Sequence, residues 1–206
     1  MLKALRTPIA TAILFVAGFA LLVGGGIGTV QAAPTIVSGD YTAQVELVSI
    51  HTELYENGAS VGDTILAAVD APAIGKVYED ELAVHNDGKI PEYVRVIVSK
   101  YWVDADGNKQ VNLNPAYIDL NFPAGQGWTI DKKVSTDERV VLYYADAVDV
   151  DGVTKPFATS LRIDPAVAAA GKSYEGMTFH VDVKVDAVQT HNGQAAMKGA
   201  WGRTNS

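Results

Sequence analysis

The chain has 206 residues, a formal net charge of −8, no cysteine, 19 glycines and only 5 phenylalanines. That length suits one domain with appendages and is enough to bury a real core. The acidity disfavours nucleic acid or an anionic membrane surface as a partner, and the lack of cysteine excludes a disulfide framework and thiol chemistry.

The N-terminal thirty-odd residues have the pattern of an export signal. Lys3 and Arg6 supply a positive start, residues 9–23 are an uncharged apolar stretch, and Gly24, Gly25 and Gly26 break it. Val30, Gln31 and Ala32 then place small residues where a signal peptidase reads, so cleavage is expected between Ala32 and Ala33. A retained anchor helix is the competing reading, since the apolar stretch is nearly long enough to span a bilayer. Loss of residues 1–32 removes two positive charges and no acid, taking the chain from −8 to −10. The expected organisation is a signal peptide over 1–32 and one secreted domain over 33–206.

Residues 42–50 alternate in a way that fits a strand, and residues 51–56 continue toward Asn57-Gly58, a pair that accepts positive φ. Pro72 and Gly75 break the next stretch, and residues 77–84 form another short strand candidate. Asn86-Asp87-Gly88 turns the chain into residues 92–103, the strongest strand pattern in the sequence, and residues 104–108 turn it again. Shorter strands are expected at 117–121, 128–131, 139–145 and 159–163, each bounded by Pro, Gly or Asp, with a helical turn within 164–173.

The last strand is the clearest. Phe179, Val181, Val183, Val185 and Ala187 take one face, and His180, Asp182, Lys184 and Asp186 the other, as a half-buried antiparallel strand requires. Residues 194–200 favour a short helix near Trp201. Eight or nine short strands without a long 3.6-residue period predict an all-β, jelly-roll-like antiparallel sandwich with short helical segments.

The aspartate-rich turns do not count out as calcium loops. An EF-hand needs oxygen ligands at positions 1, 3 and 5, glycine at 6 and glutamate at 12. With Gly107 at position 6, Trp102 falls at 1; with Gly152 at 6, Ala147 falls at 1 and Ala158 at 12. Hairpin turns are the simpler reading, and an irregular calcium site near Asp146, Asp149 and Asp151 is left open. The four histidines, His51, His85, His180 and His191, are far apart in sequence and give no helix-borne zinc pattern. His51 with Glu53 and His180 with Asp182 are spaced to share strand faces, and a zinc site assembled in three dimensions is likewise left open. No G-x-S-x-G elbow or phosphate-binding glycine loop is present in the exported part. No cofactor is expected. Tyr101, Trp102, Trp128, Tyr143 and Tyr144 are read as core or edge-bracing aromatics in preference to a ligand groove.

Four stretches, AVHNDGKIPEYVRVIVSKYWVDADGNK (83–109), GWTID (127–131), VVLYYADAV (140–148) and VDVKVDAVQTHNGQAAMKGAWG (181–202), together resemble the TasA/camelysin family of secreted proteins with SipW-type signal peptides. The resemblance implies a jelly-roll sandwich at the cell surface or in the extracellular biofilm matrix. TasA-like members polymerise into fibres by donating the N-terminal segment freed by signal cleavage to a neighbouring subunit. Here that segment is 33–40, with Thr35, Ile36 and Val37 as the donor-strand residues. Camelysin-like members carry a metalloendopeptidase label; the helix-borne zinc signature is missing from this chain, so no catalytic residue is carried over.

The expected function is therefore that of a secreted structural protein that self-associates into fibres. Its expected partners are copies of itself, other matrix or cell-surface proteins and the processing signal peptidase. A metal-dependent endopeptidase and a monomeric calcium- or ligand-binding surface module are the alternatives.

Overall fold

The computed structural model describes residues 50–61 and 73–203. The signal segment, the strand expected at 42–50 save its last residue, and the break at Pro72 lie outside them. Among the described residues no helix is long and apolar enough to cross a membrane.

In the described residues nine strands form two antiparallel sheets that pack as a sandwich. In chain order they are β1 (Thr52–Glu56), β2 (Ala59–Ser60), β3 (Val77–Asn86), β4 (Glu92–Val103), β5 (Ile118–Asn121), β6 (Trp128–Ile130), β7 (Arg139–Tyr144), β8 (Ala158–Ile163) and β9 (Thr178–Gln189). The first sheet has the order β2-β1-β3-β8-β5 and the second β6-β7-β4-β9. From β3 to β6 the chain changes sheet at every connection.

The strict alternation of β4 explains its central place. Val94, Val96 and Val98 are fully buried and point inward, flanked in the same phase by Glu92, Lys100 and Trp102. Each such valine stabilises the fold by about 1.5–3 kcal/mol relative to exposure. They meet Leu82 and Val84 of β3, Ile118, Leu142, Phe157 and Leu161. Trp102 also lies in this core and donates its indole N–H to the Asn114 carbonyl at 2.9 Å. Trp128, packed against the core, donates to the Lys155 carbonyl at 2.7 Å. Aromatic N–H groups in a sandwich need such acceptors when they leave water.

Most strand boundaries fall where the turn residues put them. Asn57 and Gly58 adopt φ of 52° and 81° and close the β1–β2 hairpin. The strand expected from residue 117 starts one residue later, because Asn114 and Pro115 open a 3₁₀ turn, Pro115–Tyr117. The Asn114 side chain accepts from the Ala116 N–H at 2.9 Å, and proline at the first helical position lacks only a donor that would be unpaired anyway. After β8, a single helical turn, α1 (Ala166–Ala169), leads toward β9.

The C-terminal helix, α2 (Gly193–Trp201), covers part of the outer face of the second sheet. Met197 is fully buried, Trp201 meets Tyr143 edge-on at 5.5 Å, and the Arg95 guanidinium lies 5.4 Å from the Trp201 ring. Arg203 stacks over Tyr143 at 4.1 Å. Gly193 is required by space: a Cβ there would stand 2.5 Å from the Tyr93 ring. The helix stops at Gly202, whose φ of 70° turns its N–H back to the Lys198 carbonyl.

Candidate functional site

The long outer edge of the second sheet is the feature that physical reasoning singles out. β9 pairs with β4 over its whole length without a register shift, from Thr178 opposite Val103 to Gln189 opposite Glu92. Among the described residues it has no strand on its other side. Its 12 residues are about twice the usual strand length, and none is proline. The other terminal strands are short: β2 has 2 residues, β5 has 4 and β6 has 3. Shortness blunts an edge, whereas a long straight edge presents a row of unpaired N–H and C=O groups to any passing strand.

Charge is what this edge carries in place of a covering strand. On its solvent face Lys184 has a side chain 71% exposed and Asp182 one 56% exposed. Lys184 reaches Asp186 at 3.1 Å, and Asp186 also takes a hydrogen bond from Arg95 of β4 at 2.5 Å. Burial pushes the Asp186 carboxyl up, but the Arg95 and Lys184 bonds prevail and hold it below its ordinary pKa. His180 reaches Asp182 at 3.2 Å, as their spacing implied, and stacks on Tyr101 at 5.4 Å. Partial burial and the bond to Asp182 raise the Tyr101 phenol above its usual value.

The Asn86-Asp87-Gly88 corner is structural in its details. Asn86 ends β3, fully buried, and its amide donates to the carbonyls of Ile90 at 2.8 Å and Val148 at 3.0 Å while accepting from the Gly88 N–H at 2.9 Å. Gly88 is there for room: a Cβ would stand 2.5 Å from Glu92 Oε1. Glu92 is fully buried; its Oε1 accepts from the His51 N–H at 3.2 Å and its Oε2 has no hydrogen-bond partner. Burial pushes its carboxyl above the ordinary range. The His51 imidazole pairs with Asp87, which raises its pKa, with a lesser push from the charge of Glu53. Glu53 stands 3.7 Å from His85, its partner across β1 and β3. The corner thus clasps residue 51, the point where the chain enters β1.

The other aspartate turns are likewise held by their own backbone. Asp104 accepts from the N–H groups of Asp106 at 3.0 Å and Asn108 at 2.9 Å, and these bonds, that of Asn108 foremost, lower its pKa. Gly152 donates to the Asp149 carbonyl at 2.8 Å and accepts from the Asn86 N–H at 2.9 Å, tying that turn to the end of β3.

One carboxyl pair was not foreseen. Asp80 is 6% exposed and sits where β3 slips register against β8, between Glu79 and Leu82. Burial and the neighbouring Glu56 carboxyl push its pKa up to about 7, opposed by a 2.8 Å bond from the Asn57 amide. Its members are far apart in sequence, and Asp80 takes the same buried phase as Leu82 and Val84 further along β3.

Ala32, Ala33, Thr35, Ile36 and Val37 lie outside the described residues. Among the described residues no three His, Asp or Glu side chains gather to hold a metal ion. Comparisons with protein-family models, with curated proteins and with solved structures found no match.

Proposed function

We propose that this chain is a secreted structural protein of the cell surface or biofilm matrix, whose sandwich assembles into fibres by strand addition. The single observation that carries the reading is the 12-residue β9 edge, long, paired with β4 in unbroken register and without a second neighbour among the described residues. In this reading residues 33–40 of one copy, through Thr35, Ile36 and Val37, add to the β9 edge of the next. Main-chain hydrogen bonds give such a contact its affinity, and alternate side chains its register. The contact is head-to-tail, so it does not close and grows a filament. The signal-like N-terminus, the resemblance to the TasA/camelysin family and the acidic charge of the chain support export and argue against nucleic acid as partner.

The test is electron microscopy of the purified protein, its N-terminus defined by mass spectrometry, with and without residues 33–40. Filaments in the first preparation and dispersed particles in the second are expected. Filaments in both, or particles of one size in both, would remove strand donation by this segment.

A further inference from the structure

The side chains of β9 are self-complementary in the antiparallel register centred on Val183, and from this we infer that a second copy of the chain docks edge to edge on β9 as a closed two-fold dimer. Centre the pairing on Val183, so that it meets its own counterpart. Asp182 then lies opposite the partner copy's Lys184 and Lys184 opposite its Asp182, while His180 and Asp186 meet in the same reciprocal way. On the inward face Val181 meets Val185, and Phe179 meets Ala187. On the wet face the two Asp182–Lys184 pairs are opposite in charge and Thr178 meets Val188, and the inward pairs Val181–Val185 and Phe179–Ala187 are apolar.

Neighbouring registers lose this match. A shift that centres on Lys184 opposes Lys184 to itself and Asp182 to Asp186; one that centres on Asp182 opposes Asp182 to itself and Lys184 to His180. Like charges directly opposite destabilise a ladder, and odd shifts bring wet-face residues against inward ones. The decisive contacts are the two Asp182–Lys184 pairs, because Asp186 is already held by Arg95. Both side chains are more than half exposed in the single copy, at 56% and 71%, so Asp182, which meets His180 and Tyr101, and Lys184, which meets Asp186, hold contacts that a partner's charge can replace. The helix α2 lies beside the end of β9 that it follows in the chain, and the rings and guanidinium it packs on, Tyr93, Arg95 and Tyr143, belong to β4 and β7. The product is a continuous sheet of eight strands, four from each copy.

Such a contact is isologous and stops at two copies. Resting on the proposed strand donation, it occupies the same β9 edge, so the dimer competes with filament growth and holds the subunit in a non-polymerising state.

Analytical ultracentrifugation of the purified protein over a concentration series tests this, with electron microscopy of the same samples. The wild-type protein is expected to show a monomer–dimer equilibrium. Lys184→Glu, which opposes two acids twice per dimer, is expected to weaken the dimer by about tenfold or more and to increase filaments. Adding Asp182→Lys to it restores the opposite-charge pairs and is expected to restore the dimer. Circular dichroism of each variant confirms the fold, which substitution at these exposed positions leaves intact. Dimers that ignore Lys184→Glu, or a protein that stays monomeric at every concentration, overturn the dimer. Filaments in that second case leave strand donation standing, whereas a monomer without filaments removes both.

Discussion

Asp80 offers the sharpest test of the fold's electrostatics. Its pKa rises from 3.8 to about 7 in the folded chain, chiefly through burial and then through Glu56. A carboxyl that binds its proton more tightly when folded favours the folded state at low pH. That contribution is complete below 3.8 and is lost as the pH rises through about 7. A displacement of roughly three pKa units sets a ceiling near ~4 kcal/mol at about 1.4 kcal/mol per unit. Glu56 is partly open to solvent, and screening brings the expected effect down to about 1–2 kcal/mol. Asp80→Asn imitates the protonated acid: its carbonyl still accepts from the Asn57 amide, and its own amide donates toward Glu56. Urea unfolding at pH 4 and pH 8 is the assay. The variant should equal the wild type at pH 4 and exceed it by about 1–2 kcal/mol at pH 8. Parallel pH profiles for the two proteins would refute the argument, since they would mean Asp80 ionises alike in the folded and unfolded chain.

Asn86→Ala removes three hydrogen bonds from a fully buried corner and should lower stability by about 2–4 kcal/mol in urea unfolding, more than any exposed asparagine such as Asn112. Gly193→Ala forces a methyl against the Tyr93 ring and should cost about 1–3 kcal/mol, with a shift in Trp201 fluorescence as α2 lifts. Lys100 is buried, donates to the Ile118 carbonyl, and burial lowers its pKa; Lys100→Met keeps the stem and removes the charge, so it should be neutral or stabilising by up to about 2 kcal/mol at pH 7.

The strands were legible where period-2 alternation was strict. β4 runs from Glu92 to Val103, the bounds its apolar phase sets, and β9 begins a single residue before the run that starts at Phe179. The phase of Val94, Val96 and Val98, carried outward, already puts Glu92 and Lys100 on the inner face, a signal the sequence held and the apolar pattern obscured. β3 reaches Asn86, two residues beyond its expected end, because Asn86 satisfies its amide inside the core. β2 was missed: two exposed residues give no period. Gly88 looked like a turn glycine, and its role in making space for Glu92 depends on a neighbour four residues away and on His51, which sequence spacing does not reveal. That β9 ends its sheet among the described residues was hidden for a related reason. Alternation tells which face a residue takes but not how many strands lie beside it; that depends on where the other eight strands of the described fold go.

The central claim is that this protein acts through the backbone edge of β9. Amide hydrogen exchange, followed residue by residue for Thr178–Gln189 before and after assembly, tests it most directly. Slowed exchange at alternate β9 amides on assembly, with the β5 and β6 edges unchanged, is the result the account predicts. Assemblies in which β9 exchanges as fast as in the isolated subunit would contradict it.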